Sequence, residues 1–108
     1  MCNLKYDVIR TDTADSLIRK IILYVAENFG NKVAEEKLDE LENAIMELGN
    51  NPYIGEEPKY NILRRQGYKV LITKMDLIFY KIDEDKKQVI IYAVTDQRQD
   101  YLSIIRGL

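Results

Sequence analysis

The chain opens on an alternation in which Leu4, Tyr6 and Val8 are separated by Lys5 and Asp7. This period-two pattern of a half-buried strand predicts β-structure over Asn3 to Arg10. Thr11, Asp12 and Thr13 then offer capping oxygens. Ala14, Leu17, Ile18, Ile21, Ile22, Val25 and Phe29 follow at three- and four-residue steps until Gly30, as the apolar stripe of an amphipathic helix does. A second stripe, Ala34, Leu38, Leu41, Ile45 and Leu48, has Asn31 as its expected cap and ends at Gly49-Asn50-Asn51-Pro52. A link this short folds the two helices back as an antiparallel hairpin.

Beyond Pro52 the pattern is irregular up to Gly67, and Tyr60 to Arg65 fits either one helical turn or an edge strand. Three strand signals then follow closely, Tyr68 to Thr73, Leu77 to Ile82 and Gln88 to Thr95. Connections of this length permit only antiparallel neighbours, hence a meander. One face of that meander needs an apolar cover, which the hairpin alone supplies. The expected fold class is α+β: an N-terminal strand, and an antiparallel two-helix hairpin packed on a C-terminal three-stranded antiparallel meander. The last segment, Gln97 to Leu108, gathers Tyr101, Leu102, Ile104 and Ile105, as a short docked helix or an extended tail would.

Composition narrows the class. A chain of 108 residues, 46% hydrophobic and 31% charged, is the size and make-up of one globular domain spanning residues 1–108. With no histidine and one cysteine, Cys2, there is no internal disulfide, no zinc set and no Ser/His/Asp or Cys/His nucleophile system. Glu35, Glu36, Asp39 and Glu40 lie on one helix and read as a solvated face, so neither metal nor cofactor is expected. The stretch Leu17 to Ala26 is broken by Arg19 and Lys20, which suits neither a signal peptide nor a membrane span. A soluble cytoplasmic protein with no membrane partner is expected.

Charge is unevenly placed. Residues 1–57 hold 6 basic and 12 acidic side chains, whereas residues 58–108 hold 10 and 6, so a net −2 hides a cationic C-terminal half. The meander supplies Arg64, Arg65, Lys69, Lys74, Tyr80, Lys81, Tyr92, Arg98 and Tyr101, a set able to hold phosphates and stack bases, or to receive an acidic protein segment. Phosphodiester cleavage here would have to use Lys, Arg, Tyr or a carboxylate, with Arg98 and Tyr101 the best local pair.

Several phrases resemble the RelE/ParE superfamily of bacterial type II toxin–antitoxin toxins. They are Tyr6-Asp7-Val8-Ile9, the helix phrase Ala14 to Tyr24, Asn51-Pro52-Tyr53-Ile54-Gly55, Gly67-Tyr68-Lys69, the strand Leu77 to Asp83, and Val89 to Asp100 with the ending Arg98-Gln99-Asp100-Tyr101. Together they cover nearly the whole chain.

The resemblance implies a toxin, and its two branches imply different mechanisms. RelE-like members are ribosome-dependent mRNA endonucleases, whose site would map here to Arg98, Tyr101, Lys69 and Arg65. ParE-like members lack that set and poison DNA gyrase. Leu77 stands where a RelE-type site would want an arginine, and the Gly67-Tyr68-Lys69 and Tyr80 phrases look more like the ParE side, so the ParE-like branch is the expected one. A non-toxic interaction domain on the same scaffold is the third reading. The resemblance further implies a cognate antitoxin whose C-terminal segment wraps the toxin. Leu23, Tyr24, Arg64, Arg65, Lys74, Tyr80 and Arg98 are the expected partner-binding residues.

Overall fold

The computed structural model describes residues 5–97. Its elements are β1 (Asp7–Arg10), α1 (Asp12–Phe29), α2 (Asn31–Asn50), a 3-10 turn (Pro52–Ile54), α3 (Asn61–Arg65), β2 (Lys69–Ile72), β3 (Asp76–Asp83) and β4 (Gln88–Asp96). The α+β hairpin-on-meander architecture is therefore as the patterning predicts, with the ends of the meander strands shifted by at most one residue. Tyr60 to Arg65 resolves as a helical turn starting at Asn61. The expected opening strand starts only at Asp7, since Lys5 and Tyr6 form a bend; Asn3, Leu4 and the segment from Arg98 onward lie outside the described residues.

Helix α1 begins where predicted, with the Thr11 hydroxyl accepting the Ala14 amide at 3.1 Å. The expected cap of α2 is corrected. Asn31 is already helical, and Gly30, at φ 94°, both ends α1 and starts α2. A left-handed backbone at this corner suits glycine, which has no Cβ to clash. The chain therefore reverses over a single residue.

The sheet order is β1-β4-β3-β2. The meander is antiparallel, and β1 adds to it in parallel with β4, from Asp7 opposite Gln88 to Arg10 opposite Ile91. Periodicity does not reveal this pairing, because nothing in residues 7–10 names a partner about 80 residues away. A register shift after Phe79 leaves Tyr92 as the extra residue of a bulge, with Phe79 opposite Ala93 and Tyr80 opposite Ile91.

Alternation splits the core in two. Ile78, Tyr80, Val89, Ile91 and Val94 face the helix hairpin and pack with Ala14, Ile18, Leu41, Ile45 and Leu48. Val70, Leu77, Phe79 and Ala93 point to the opposite side, where Leu63 of α3 and Tyr68 cover part of them. Strand β3 is thus buried on both faces from Asp76 to Tyr80, and each of its large apolar residues contributes about 1.5–3 kcal/mol of burial.

Candidate functional site

Three surface features and two buried polar bolts result from this arrangement. The first feature is on α1. Leu23 and Tyr24 are 60% and 58% exposed, and Phe29, near the hairpin corner, is also exposed. Leu23 and Tyr24 stand outside the expected stripe, and Phe29, its last expected member, is exposed at the helix end instead of buried, so large apolar side chains remain uncovered on α1.

The second feature is a cationic ledge along the β2 edge of the sheet. From Pro58 to Met75 the chain carries Lys59, Arg64, Arg65, Lys69 and Lys74 and no acidic residue. Arg64, Arg65 and Lys74 are exposed, and Arg64 donates to the Asn61 side chain. Exposed Ile62, Ile72 and Met75 lie in the same stretch. The ledge is therefore apolar as well as basic.

Lys69 does not join the arginines. It stands opposite Tyr80 in the β2–β3 ladder and so points to the helix side of the sheet. There its Nζ lies 3.5 Å from Glu57 Oε1 and 5.7 Å from the centroid of the Tyr53 ring. Arg65 belongs to α3, whose Leu63 packs on the other side of the sheet with Val70 and Phe79. Leu77, where a RelE-type arginine is expected, is buried with them. Arg98 and Tyr101 lie outside the described residues.

The third feature is around Lys81, whose ammonium sits 4.5 Å from the Tyr68 ring centroid and 5.2 Å from that of Tyr92. The two rings meet edge to face at 5.5 Å. Burial, with the neighbouring Tyr92 adding to it, pushes the Tyr68 hydroxyl above the ordinary tyrosine value. An open pocket of about 410 Å³ beside Lys81 is lined by Asp83, Ile90 and Tyr92 among others.

Tyr80, expected at a partner surface, is corrected to the core, where it is wholly buried. Its hydroxyl donates to the Pro52 carbonyl at 2.6 Å and accepts the Gly55 amide at 3.1 Å. Burial raises its pKa and the Gly55 N–H partly offsets that. The Asn51-Pro52-Tyr53-Ile54-Gly55 phrase is thereby bolted to the centre of the sheet. The signal that could have revealed this is β3 itself, a strand apolar on both faces, whose tyrosine needs an internal partner for its hydroxyl.

The second bolt has no local signal at all. Lys37 of α2 donates to the buried carboxylate of Asp76 at the start of β3. Thr73 and Gln97 brace the same turn, since Asp76 N–H donates to Thr73 Oγ1 at 3.0 Å and the Gln97 side chain donates to the Thr73 carbonyl at 2.7 Å. Desolvation raises the Asp76 carboxyl above the usual aspartate value despite Lys37, and Asp96 and Glu40 nearby add to the rise.

Among the described residues, no group of three His, Cys, Asp or Glu side chains converges as a metal site would, and no helix is long and apolar enough to cross a membrane.

Residues 8–101 match the family profile described as the ParE toxin of type II toxin–antitoxin systems, parDE. The chain belongs to the ParE toxin family. Solved structures show the same fold at low identity. A chain of the chromosomal ParDE toxin–antitoxin system from Pseudomonas aeruginosa aligns with a TM-score of 0.72 at 12% identity, covering 85% of this chain and 96% of that one. A chain of a RelBE toxin–antitoxin complex from Mycobacterium tuberculosis aligns at 0.61 and 19% identity, covering 87% and 100%. The isolated Escherichia coli RelE toxin aligns at 0.55 and 16% identity, covering 95% and 99%. No curated protein sequence gives a significant match. In this ParE-family toxin the α1 strip of Leu23 and Tyr24 and the ledge of Arg64, Arg65 and Lys74 are both exposed.

Proposed function

We infer that this ParE-family toxin arrests growth by binding DNA gyrase, carries out no bond chemistry of its own, and is neutralised by a cognate antitoxin. The observation that carries this reading over the mRNA-endonuclease alternative is the separation of Lys69 from Arg65. Of the four residues the nuclease would need, these two are described: Lys69 points to the helix side and is engaged by Glu57 and Tyr53, whereas Arg65 is exposed on α3, whose Leu63 packs on the other side of the sheet. General acid–base work on a phosphodiester needs its groups around one scissile bond.

The antitoxin reading follows from what the fold leaves uncovered. A segment with apolar residues fits along Leu23 and Tyr24, and acidic residues in it pair with Arg64, Arg65 and Lys74. Induced expression in a bacterium, combined with a supercoiling assay on purified gyrase, tests the target. Growth arrest with blocked supercoiling is expected. Cleavage of ribosome-bound transcripts with supercoiling intact would establish the nuclease instead, and unhindered growth would establish a non-toxic interaction domain.

A further inference from the structure

The Asn51-to-Gly55 phrase has so far only a structural account, yet that account poses a question. Pro52 and Gly55 are held by Tyr80, and Glu56 is paired to Val70 through N–H to carbonyl bonds of 2.7 and 2.9 Å in both directions. Between these anchors the chain turns Tyr53 and Ile54 outward, 57% and 48% exposed. A loop fixed at both ends presents its side chains at little conformational cost to whatever binds them.

The surroundings extend the platform. Tyr6 and Tyr53 both donate to the carboxylate of Glu84, Tyr6 at 2.8 Å, so two rings from different parts of the chain are held side by side. Next to them is an open cleft of about 420 Å³ lined by Tyr6, Asn50, Asn51, Pro52, Tyr53 and Ile54, with Lys5 also on its wall. Aromatic rings, amides and an aliphatic side chain on a preorganised frame make up the composition of a protein-binding hot spot.

Charge decides the class of partner. The lysines over the two rings are each matched by a carboxylate, Lys69 by Glu57 at 3.5 Å and Lys87 by Glu84 at 3.1 Å. Lys5 on the cleft wall apart, the platform therefore offers phosphates little unpaired positive charge, unlike the ledge around Arg64 and Arg65. It fits an uncharged patch that is apolar and offers hydrogen bonds.

We propose that Tyr53 and Ile54, with Tyr6 beside them, form the surface that grips the toxin's protein target. This surface is separate from the α1 strip and the cationic ledge left for the antitoxin. The proposal rests on the reading of the chain as a growth-arresting protein.

The test is induced expression of wild type, Tyr53→Ala/Ile54→Ala, Tyr53→Phe and Ile54→Asp, each checked by its unfolding midpoint. The double variant is expected to give at least about tenfold more surviving colonies than wild type, as loss of hot-spot side chains does. Its midpoint should stay within about 4 °C of wild type, because both side chains are exposed. Tyr53→Phe keeps the ring but loses the bond to Glu84, and is expected to fall between wild type and the double variant. Ile54→Asp touches neither bond to Tyr80, so it carries the test should the double variant unfold. A folded double variant as toxic as wild type overturns the proposal. So does toxin binding to duplex DNA or RNA that disappears with Tyr53 and Ile54, since that makes the platform a nucleic-acid surface. A wild-type chain that leaves growth untouched overturns the underlying reading and the platform's role with it, and it is told apart because wild type itself fails.

Discussion

Tyr80 and Gly55 fit each other with no space to spare: the Tyr80 hydroxyl accepts the Gly55 amide at 3.1 Å, and a Cβ placed on Gly55 would lie 2.3 Å from that oxygen. The backbone at Gly55 is extended, so close approach and not dihedral angle excludes a side chain here. Tyr80→Phe removes the hydroxyl from two buried partners and is expected to cost about 1–3 kcal/mol, read from the shift in urea midpoint. Gly55→Ala is expected to cost at least as much. Part of that cost should vanish when the two are combined, because the clashing oxygen is then gone. Additive losses would show that the loop is not held by this contact.

The Lys37–Asp76 bond joins α2 to β3 out of water. Lys37→Met alone leaves the buried Asp76 charge without its partner and is expected to destabilise by about 3 kcal/mol. Replacing both, as Lys37→Met/Asp76→Leu, is expected to restore most of that stability or exceed it, because the desolvation penalty disappears with the charges. Thermal melts of both variants check this.

The same site sets a pH dependence with a definite sign. The Asp76 carboxyl is raised in the folded chain, so the folded state takes up its proton at a higher pH than the unfolded chain does. Its charge is therefore a burden at neutral pH that eases as pH falls through the folded-state pKa towards the ordinary aspartate value. The stability difference of wild type relative to Asp76→Asn is expected to move in favour of wild type over that acid interval. Parallel curves would remove Asp76 as the cause.

Antitoxin capture and toxicity should separate by mutation. Leu23→Asp/Tyr24→Asp alters only exposed positions of α1 and is expected to leave folding and growth arrest intact while rescue by the co-expressed cognate antitoxin fails. Equal rescue of variant and wild type would remove α1 from the antitoxin surface.

Charge reversal on the ledge tests a different component of that interface. Arg64→Glu/Arg65→Glu/Lys74→Glu is expected to slow association with the antitoxin by about tenfold or more at low salt and by less at high salt, as screening shortens electrostatic reach. Stopped-flow mixing at two ionic strengths reads both effects. A salt-independent loss would point to damaged folding.

Local patterns carried much of this molecule and distant pairings did not. The stripes from Ala14 to Phe29 and from Ala34 to Leu48 have helical spacing, and both helices are found there. The meander was legible from its short connections. Gly30 hid its double role because a single glycine in the sequence looks like a stop, whereas here it also opens the next helix. Tyr80 was misread as a surface residue because its strand is covered on both sides, which erases the alternation that separates inside from outside. Lys37 and Asp76, 39 positions apart, meet only through the packing of α2 on the sheet. The ledge was visible as a run of cations without acids, but the pairing of Lys69 with Glu57 was not.

The parallel seating of β1 against β4 also fixes when the molecule can finish folding. Asp7 to Arg10 leave the ribosome well before their ladder partners, Gln88 to Ile91, are made. Until then the hairpin can form but the leading strand has no berth, so long-range closure is the late step. A polypeptide cut short before residue 88 leaves β3 with a bare edge and the first strand unmoored. Premature termination should therefore yield an aggregation-prone fragment rather than a smaller working protein.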